Sequence, residues 1–237
     1  MIPGLVYGPN EVEAASSGCH QARPHESPVR FQRSRSFGHY IIKLEVAEAE
    51  QTSVVSSLMD KPMRNLHFRF MTFCLKLRDL FSPPRMIVKE AGIRPMFVVL
   101  DFGCGPGSFS IAAAEMVGAD GKVYGLDIHP FAEQMLVKAA ARKGLRNIEA
   151  INSACETGLK DESVDVVLLY DTFHMLSEPR LVLKELHRVL KPGGVLSFND
   201  HHMKEDEIIS SVTDGGLFRM TAKGRRTYSF QKEKNAL

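Results

Sequence analysis

The segment "VVLDFGCGPGSFSIAAAEMVG", residues 98–118, gives the clearest indication of the fold. It runs from a β-branched segment through three glycines into an alanine-rich segment, the pattern of a strand, a tight loop and a helix. Gly103, Gly105 and Gly107 let the backbone turn sharply and approach a ligand without a Cβ clash. Their spacing differs from the G-x-G-x-x-G of dinucleotide loops, and Asp101 precedes them. Because a carboxylate repels phosphate and attracts an ammonium or sulfonium cation, the loop disfavours NAD or ATP.

Outward from this stretch, strand patterns and helix patterns alternate along the chain. Strands are predicted at 97–102, 122–128, 147–152, 164–171 and 194–200, and helices at 108–117, 130–143 and 179–190. The strands are almost continuously Val, Leu and Ile, which is typical of parallel strands buried on both faces. Two further runs, 217–222 and 226–231, flank a turn and predict an antiparallel hairpin at the sheet edge. The sequence therefore predicts a doubly wound, mostly parallel α/β sheet.

The composition excludes several other classes of protein. The 237 residues are 44% hydrophobic and 24% charged, which suits one main globular core. A net charge of +2 gives no support for a nucleic-acid partner. The four cysteines lack CxxC spacing, so neither a zinc ribbon nor a disulfide framework is indicated. No apolar run reaches the roughly 18 residues that span a bilayer. We expect a soluble, cytoplasmic protein and leave its oligomeric state open.

The region before the glycine loop divides into two parts. Residues 1–58 are rich in Pro, Gly, Ser and His and show no periodicity, so we expect a disordered extension. A natural start at Met59 or Met63 stays open as an alternative. Residues 59–82 predict an amphipathic helix that ends at two prolines. Its apolar positions are Leu66, Phe70, Phe73, Leu77 and Leu80. The favoured interpretation packs this helix over the edge of the core; a lid over a substrate pocket and a basic helix touching a membrane are the alternatives.

Asp127 ends the strand pattern in "VYGLDIHP", about 20 residues after the glycine loop. An acid at this place can accept hydrogen bonds from both hydroxyls of a ribose. Taken alone, an Asp at a strand end is more often a helix cap or a surface acid. Its place one βα unit after the glycine loop favours the ribose role.

Four ordered motifs resemble those of the class I S-adenosylmethionine-dependent methyltransferases, especially the small-molecule branch called methyltransferase type 11. The motifs are VLDFGCGPGSFS, VYGLDIHP, SVDVVLLYDTFHML and LHRVLKPGGVLSF, and the likeness covers about residues 83–232. It implies a Rossmann-like, seven-stranded sheet that ends in the hairpin. It also implies S-adenosylmethionine as cofactor, residues 83–237 as the domain that binds it, and a small-molecule acceptor.

The resemblance also assigns cofactor residues. It implies that the glycine loop faces the methionine moiety, that Asp127 binds the ribose and that Ile128 lies against the adenine. At the third cofactor position the family carries an acidic or amide side chain, whereas this chain has Ala154. The N–H of Cys155 is left to meet the adenine, which implies weaker recognition of that ring. The full predicted set is Asp101, Gly103, Cys104, Gly105, Gly107, Asp127, Ile128, Ala154, Cys155 and Tyr170.

Asp171 and His174 follow the fourth strand, at the edge where doubly wound sheets bind ligands. His174 is a candidate general base on an acceptor O–H or N–H, with Asp171 beside it in the acceptor pocket. A purely structural alternative is that Asp171 caps the next turn and His174 packs beneath it. Methyl transfer needs no base in principle, because alignment of nucleophile, methyl carbon and sulfur supplies most of the catalysis.

The stretch "SFNDHHMKEDE", residues 197–207, gathers acids and histidines after the fifth strand. Adjacent histidines in an extended segment point to opposite sides, so we expect at most one of His201 and His202 to share a ligand direction with the neighbours of Asp200, which gives only weak support for a metal site. A solvated loop with a helix cap is the plainer interpretation, and one histidine that reaches the acceptor pocket is the intermediate one. No metal site is predicted.

Together these features predict a methyltransferase that uses S-adenosylmethionine on a small acceptor, with no nucleic-acid partner. Two alternatives stay open. A quinone-type lipid acceptor is suggested by the apolar, basic helix before the core. A non-catalytic domain that binds the cofactor or a partner is suggested by Ala154 and by the lack of a decisive base.

Overall fold

The computed structural model describes residues 62–233. The predictions for residues 1–58 lie outside this range. The helices are α1 (Asn65–Phe81), α2 (Pro84–Val88), α3 (Ser108–Val117), α4 (Pro130–Arg142), α5 (Pro179–Val189) and α6 (Glu205–Thr213), with 3-10 turns at Lys89–Ala91 and Phe173–Met175. The strands are β1 (Val98–Phe102), β2 (Lys122–Asp127), β3 (Ile148–Asn152), β4 (Val164–Tyr170), β5 (Leu190–Asn199), β6 (Phe218–Lys223) and β7 (Tyr228–Lys232).

The strands form one seven-stranded sheet in the order β3-β2-β1-β4-β5-β7-β6. The first five strands are parallel, and β7 runs antiparallel between β5 and β6. This topology confirms the predicted doubly wound sheet with a C-terminal antiparallel hairpin. The strand order reverses direction beside β1, and such a switch point is where open α/β sheets bind ligands.

The central strands are mostly apolar because helices cover both faces of the sheet. Along β1, the fully buried Val99 packs in one cluster with Ala113 of α3, while its neighbour Leu100 packs in the other with Leu186 of α5. Full burial of such a side chain stabilises the fold by about 1.5–3 kcal/mol. Strict alternation of polar and apolar residues is therefore absent, as the sequence predicted for parallel strands.

The loop between β1 and α3 depends on glycine at two close approaches. Gly103 has φ +78°, and a Cβ there would lie 2.2 Å from the side-chain oxygen of Thr172. Gly107 has φ +84°, and a Cβ there would lie 2.5 Å from Leu136 of α4. The loop is thus held in place by Thr172, in the segment after β4, on one side and by Leu136 of α4 on the other.

Helix α1 is apolar on two faces. The predicted apolar positions, hereafter the outer stripe, lie on the outward face with between 50% and 83% of each residue exposed: Leu66, Phe70, Phe73, Leu77 and Leu80. The opposite face packs against the domain through Phe68, which is 2% exposed. The packed face is therefore not the one marked by the predicted stripe. Within residues 62–233, no helix has the length and apolar character needed to cross a membrane.

Candidate cofactor and acceptor site

A cleft of about 340 Å³ lies at the carboxyl ends of β1, β2 and β4, beneath the inner face of α1. The predicted cofactor residues that line it are Gly103, Cys104, Gly105, Asp127, Ile128, Ala154 and Tyr170. Both predicted catalytic residues, Asp171 and His174, line it as well. Asp101, Gly107 and Cys155 are not among its lining residues, and the predicted cofactor contacts of the whole set stay predictions.

Asp127 ties the end of β2 to the glycine loop. One carboxylate oxygen accepts the N–H of Gly105 at 2.8 Å, and the other accepts the N–H of His129 at 2.8 Å. Burial raises the pKa of this carboxyl above its ordinary value. Each oxygen of a carboxylate has a second lone pair, so both remain able to accept a hydroxyl group from a ligand. The position suits the predicted ribose contact.

Asp101 lies beneath the loop, only 1% exposed. Its carboxylate accepts the hydroxyl of Ser110 at 2.5 Å, and burial raises its pKa to about 7. The thiol of Cys104 is also buried, and burial raises its pKa well above the ordinary value. Close to pH 7 the Cys104 thiol is therefore protonated and a poor nucleophile, whereas the Asp101 carboxyl is about half ionised.

The end of the cleft next to β3 is lined by Ser153 and Ala154. The N–H of Cys155, which the sequence left available for the adenine, donates to the Ser153 hydroxyl at 3.3 Å. Burial raises the pKa of the Cys155 thiol to about 11, so it stays protonated. For the predicted adenine contact, this leaves the apolar side chains of Ile128 and Ala154, which line the cleft, and the backbone.

His129 fastens the start of α1 over the cleft. Its Nδ1 accepts the N–H of Phe131, so its Nε2 carries the proton and donates to the carbonyl of Met63 at 3.0 Å. Its ring stacks on Phe68 of α1 with the centroids 3.9 Å apart and the planes 8° from parallel. The sequence motif "VYGLDIHP" contained this histidine, but nothing in the spacing indicated a partner so far away along the chain.

Arg78 fastens the other end of α1. Its Nη1 donates to Asp171 at 2.8 Å, and its guanidinium lies 5.4 Å from the ring centre of Phe109. Asp171 also accepts from Nδ1 of His201 at 2.7 Å, and it holds a φ of +50°, which Asp tolerates better than most residues. Asp171 therefore connects α1, β4 and the loop after β5.

His174 and Asp200 form a pair across β4 and β5. The Nδ1 of His174 lies 2.8 Å from Oδ2 of Asp200, whose side chain is fully buried. The same carboxylate accepts the N–H groups of His174 and His202. Both residues lie in stretches that the sequence indicated as functional, but their contact with each other was not predicted. The available signal was that each follows one of two adjacent parallel strands, whose carboxyl ends meet at the same edge.

The expectation for the adjacent histidines is wrong. His201 and His202 both line the cleft, and their ring centroids are 3.8 Å apart. The reason is that residues 200–203 form a turn, in which the N–H of Met203 donates to the carbonyl of Asp200, so the extended geometry does not apply. Within residues 62–233, no group of three or more His, Cys, Asp or Glu side chains is arranged to hold a metal ion.

The inner face of α1 is the part of the site that sequence reasoning missed. Phe68, Met71, Leu75 and Arg78 line the cleft at helical spacing. The helical spacing of these four residues was present in the sequence. It was overlooked because the outer stripe, on the opposite face, is the longer apolar pattern.

Residues 93–234 match the sequence model of a family described as a methyltransferase domain. The match covers more than half of the chain. The chain belongs to this family. Curated relatives of this methyltransferase domain include demethylmenaquinone methyltransferases from Geobacillus kaustophilus (strain HTA426), 43% identical, and Geobacillus stearothermophilus, 35% identical. Each alignment covers 134 residues, 54% of this chain and 56% of the relative, so the chain spans about half the length of these curated relatives.

Solved structures agree with this placement. A SAM dependent methyltransferase from Aquifex aeolicus is 27% identical, with a TM-score of 0.57 over 66% of this chain and 96% of that chain. A structure from Methanococcus maripaludis, 15% identical, shares the fold with a TM-score of 0.62 over 75% of this chain and 98% of that chain. The class I methyltransferase fold and the resemblance to that family are confirmed. S-adenosylmethionine is the cofactor of the family.

The cleft of this methyltransferase domain fits that cofactor. Its volume of about 340 Å³ lies in the range of small-molecule sites. The Nε of Arg78 is buried, and no described residue accepts its N–H. An unpartnered buried donor is costly, and a carboxylate such as that of the methionine moiety would satisfy it. Asp127, which also lines the cleft, is the predicted acceptor for the ribose hydroxyls.

Proposed function

We propose that this chain transfers a methyl group from S-adenosylmethionine to a small, largely apolar acceptor of the quinol type. The observation that carries the proposal is that the pair of His174 and Asp200 lines or adjoins the same cleft as Asp127 and the glycine loop. S-adenosylmethionine supplies a methyl group that the sulfonium has already activated.

Residues of this chain would hold the cofactor from three sides. Asp127 accepts the ribose hydroxyls, Ile128 packs on the adenine, and the backbone of Gly103 and Gly105 approaches the methionine moiety. The pocket is closed by the inner face of α1, which the Arg78–Asp171 ion pair and the Phe68–His129 stack fasten at its two ends. We propose that α1 is the lid of this cleft, which keeps water from the sulfonium and from the nucleophile.

Support for a quinol comes from the lining of the acceptor side and from the relatives. Met71, Leu75, Phe109, Met175 and Leu176 provide apolar contacts for a ring and a tail. The curated relatives carry the name demethylmenaquinone methyltransferase. Both observations favour an apolar aromatic acceptor over a polar metabolite.

His174 would act as the general base. Its Nδ1–H donates to the buried Asp200, which leaves Nε2 with a lone pair to accept the acceptor hydroxyl proton. The deprotonated oxygen raises the electron density of the acceptor ring. S-adenosylmethionine would supply its methyl group to a ring carbon and leave with the electron pair of the broken sulfur–carbon bond; the proton of that carbon would go to solvent, and His174 would return its proton to the acceptor oxygen. The products are the methylated quinol and S-adenosylhomocysteine.

The test is transfer of labelled methyl from S-adenosylmethionine to a demethylated naphthoquinol under reducing conditions. We expect methylated quinol with the wild-type chain. A general base contributes about 10²–10⁴-fold, so His174→Ala should lower kcat by that factor and leave cofactor affinity unchanged. The matched control is His67→Ala, which removes an exposed histidine outside the cleft. Cofactor binding with no transfer to any quinol would instead favour the non-catalytic alternative.

A further inference from the structure

The outward face of α1 is a continuous apolar surface. The outer stripe follows steps of four and three residues along the helix, which places its members in one row. Phe81 extends the row with 83% of the residue exposed. Single exposed apolar residues are ordinary, but a contiguous row marks an interaction surface. The inner face of the helix already covers the cleft, so the outer stripe has no role in closing it.

The charged residues beside the stripe have one sign. Between residues 62 and 89 the exposed charged side chains are all basic: Arg64, Arg69, Lys76, Arg85 and Lys89. The one acid in this range, Asp79, is half-buried and paired with Arg78. The surface therefore combines large apolar groups with positive charge, as helices do that lie in the interface of an anionic bilayer.

A second cleft adjoins the stripe at Lys76. It has a volume of about 470 Å³ and is lined by Lys76, Arg85, Lys138, Arg142 and Lys143, with Glu115 as its acid. Glu115 is paired with Arg85 and with Lys143. Hereafter this is the basic cleft. Lys76 lies one turn from both Phe73 and Leu80 on α1, so the basic cleft and the outer stripe form one surface.

We infer that the outer stripe and the basic cleft dock the protein on an anionic lipid bilayer. The stripe enters the boundary between headgroups and acyl chains, and the basic cleft receives lipid phosphates. The charge favours this occupant over a second copy of the chain, because two copies facing each other through this surface would oppose their positive charges. The inference does not rest on the proposed reaction, although it would bring the cleft beneath α1 next to a lipidic acceptor.

The first test is flotation of the full chain with vesicles, without cofactor or acceptor. We expect binding to vesicles of equal parts phosphatidylglycerol and phosphatidylcholine, little binding to phosphatidylcholine alone, and loss of binding as salt is raised. The double variant Phe70→Ser, Phe73→Ser should weaken binding by about tenfold or more, because both rings leave the interface. Lys76→Gln and Arg69→Gln should each weaken it by about fivefold.

The control variants are Met96→Ser and Val137→Ser, which change exposed apolar residues outside the stripe, 69% and 54% exposed. They should bind vesicles as the wild type does. Binding of S-adenosylmethionine serves as the check that each variant is folded, since the stripe does not line the cofactor cleft. Absence of flotation with anionic vesicles at low salt overturns the inference whether or not the chain methylates quinols.

A second test separates the lipid from other occupants. Cys74 is an exposed free thiol on α1, beside Phe73. In a Cys19→Ser background, an environment-sensitive dye on Cys74 should shift to shorter wavelength when anionic vesicles are added. Protection of Cys74 from labelling before vesicles are added would show that the protein itself covers the stripe. A dimer that Phe70→Ser, Phe73→Ser converts to monomer would assign the stripe to a second copy. Either result overturns the inference.

Discussion

Asp101 shows how burial sets the chemistry of a single residue at this site. Its pKa of about 7 compares with about 3.9 in an unfolded chain. Between about pH 4 and pH 7 the native protein keeps a proton that the unfolded chain releases. The free energy of unfolding therefore falls as pH rises through this window, by up to about 4 kcal/mol, and levels off above it.

Asp101→Asn should remove the part of this decline that Asp101 causes, and the smaller part that comes from the raised pKa of Asp127 should remain. The amide is neutral at every pH and still accepts the Ser110 hydroxyl, so the variant should be more stable than the wild type at pH 8. Urea unfolding at pH 5 and pH 8 measures the difference. Asp120→Asn, at an exposed carboxylate, should behave as the wild type does. An equal decline in Asp101→Asn and the wild type would mean that Asp101 is ionised throughout.

Asp200 is a positioning residue that acts through His174. Asp200→Asn removes the charge that fixes the Nδ1–H, so kcat should fall by about tenfold or more while KM for the acceptor stays nearly constant. In a His174→Ala background the same change should have almost no further effect, because residues that act as a unit are not additive. Steady-state kinetics of the four proteins measures this coupling. Equal losses in both backgrounds would assign Asp200 a structural role only.

At the scale of elements, the strands were predictable and α1 was only half predictable. The continuous apolar character of β1 and β4 can be satisfied only in a sheet covered on both faces, so the fold followed from composition. In α1 the outer stripe was the stronger apolar pattern in the sequence. The face that is buried against the domain is the opposite one, which carries Phe68. The positions of His201 and His202 were not predicted correctly. The prediction assumed an extended segment, whereas residues 200–203 form a turn.

The contacts that hold the C-terminal end of α1 predict the effect of replacing Arg78. Arg78→Gln removes the ion pair with Asp171, the contact with Phe109 and the unpartnered Nε donor. A half-exposed pair of this kind contributes about 1 kcal/mol, so amide exchange over residues 65–81 should speed up about fivefold. Cofactor affinity should fall as well. Arg85→Gln, which removes an exposed pair with Glu115, should leave both unchanged, and the same response in the two variants would contradict the lid.

The glycine loop gives a second prediction at this scale. Gly103→Ala places a Cβ 2.2 Å from Thr172 at a positive φ, so it should destabilise the protein by about 2–4 kcal/mol. Gly215→Ala is the matched control, since a Cβ there meets nothing within 4 Å and φ is not positive. Denaturant midpoints measure both. A Gly103→Ala variant as stable as Gly215→Ala would show that the loop does not adopt this conformation.

At the scale of the whole molecule, the switch point beside β1 accounts for the site. Loops after β1, β2, β4 and β5 meet there, and they bring Asp127, Asp171, His174 and Asp200 together from far apart in the chain. The order of the motifs therefore predicted at which edge of the sheet these residues lie. Their partners were not predictable, because the contacts of Asp200 with His174 and of Asp171 with Arg78 depend on how loops and α1 pack.

The cleft beneath α1 is proposed to bind S-adenosylmethionine. The most direct test of this binding is calorimetric titration of the full chain with S-adenosylmethionine and S-adenosylhomocysteine. We predict saturable binding of one ligand per chain, weakened about tenfold or more by Asp127→Ala, which removes a charged acceptor, and unchanged by Asp120→Ala at an exposed site. No binding of either ligand at millimolar concentration, or equal binding by Asp127→Ala and the wild type, would contradict the proposed binding of the cofactor in this cleft.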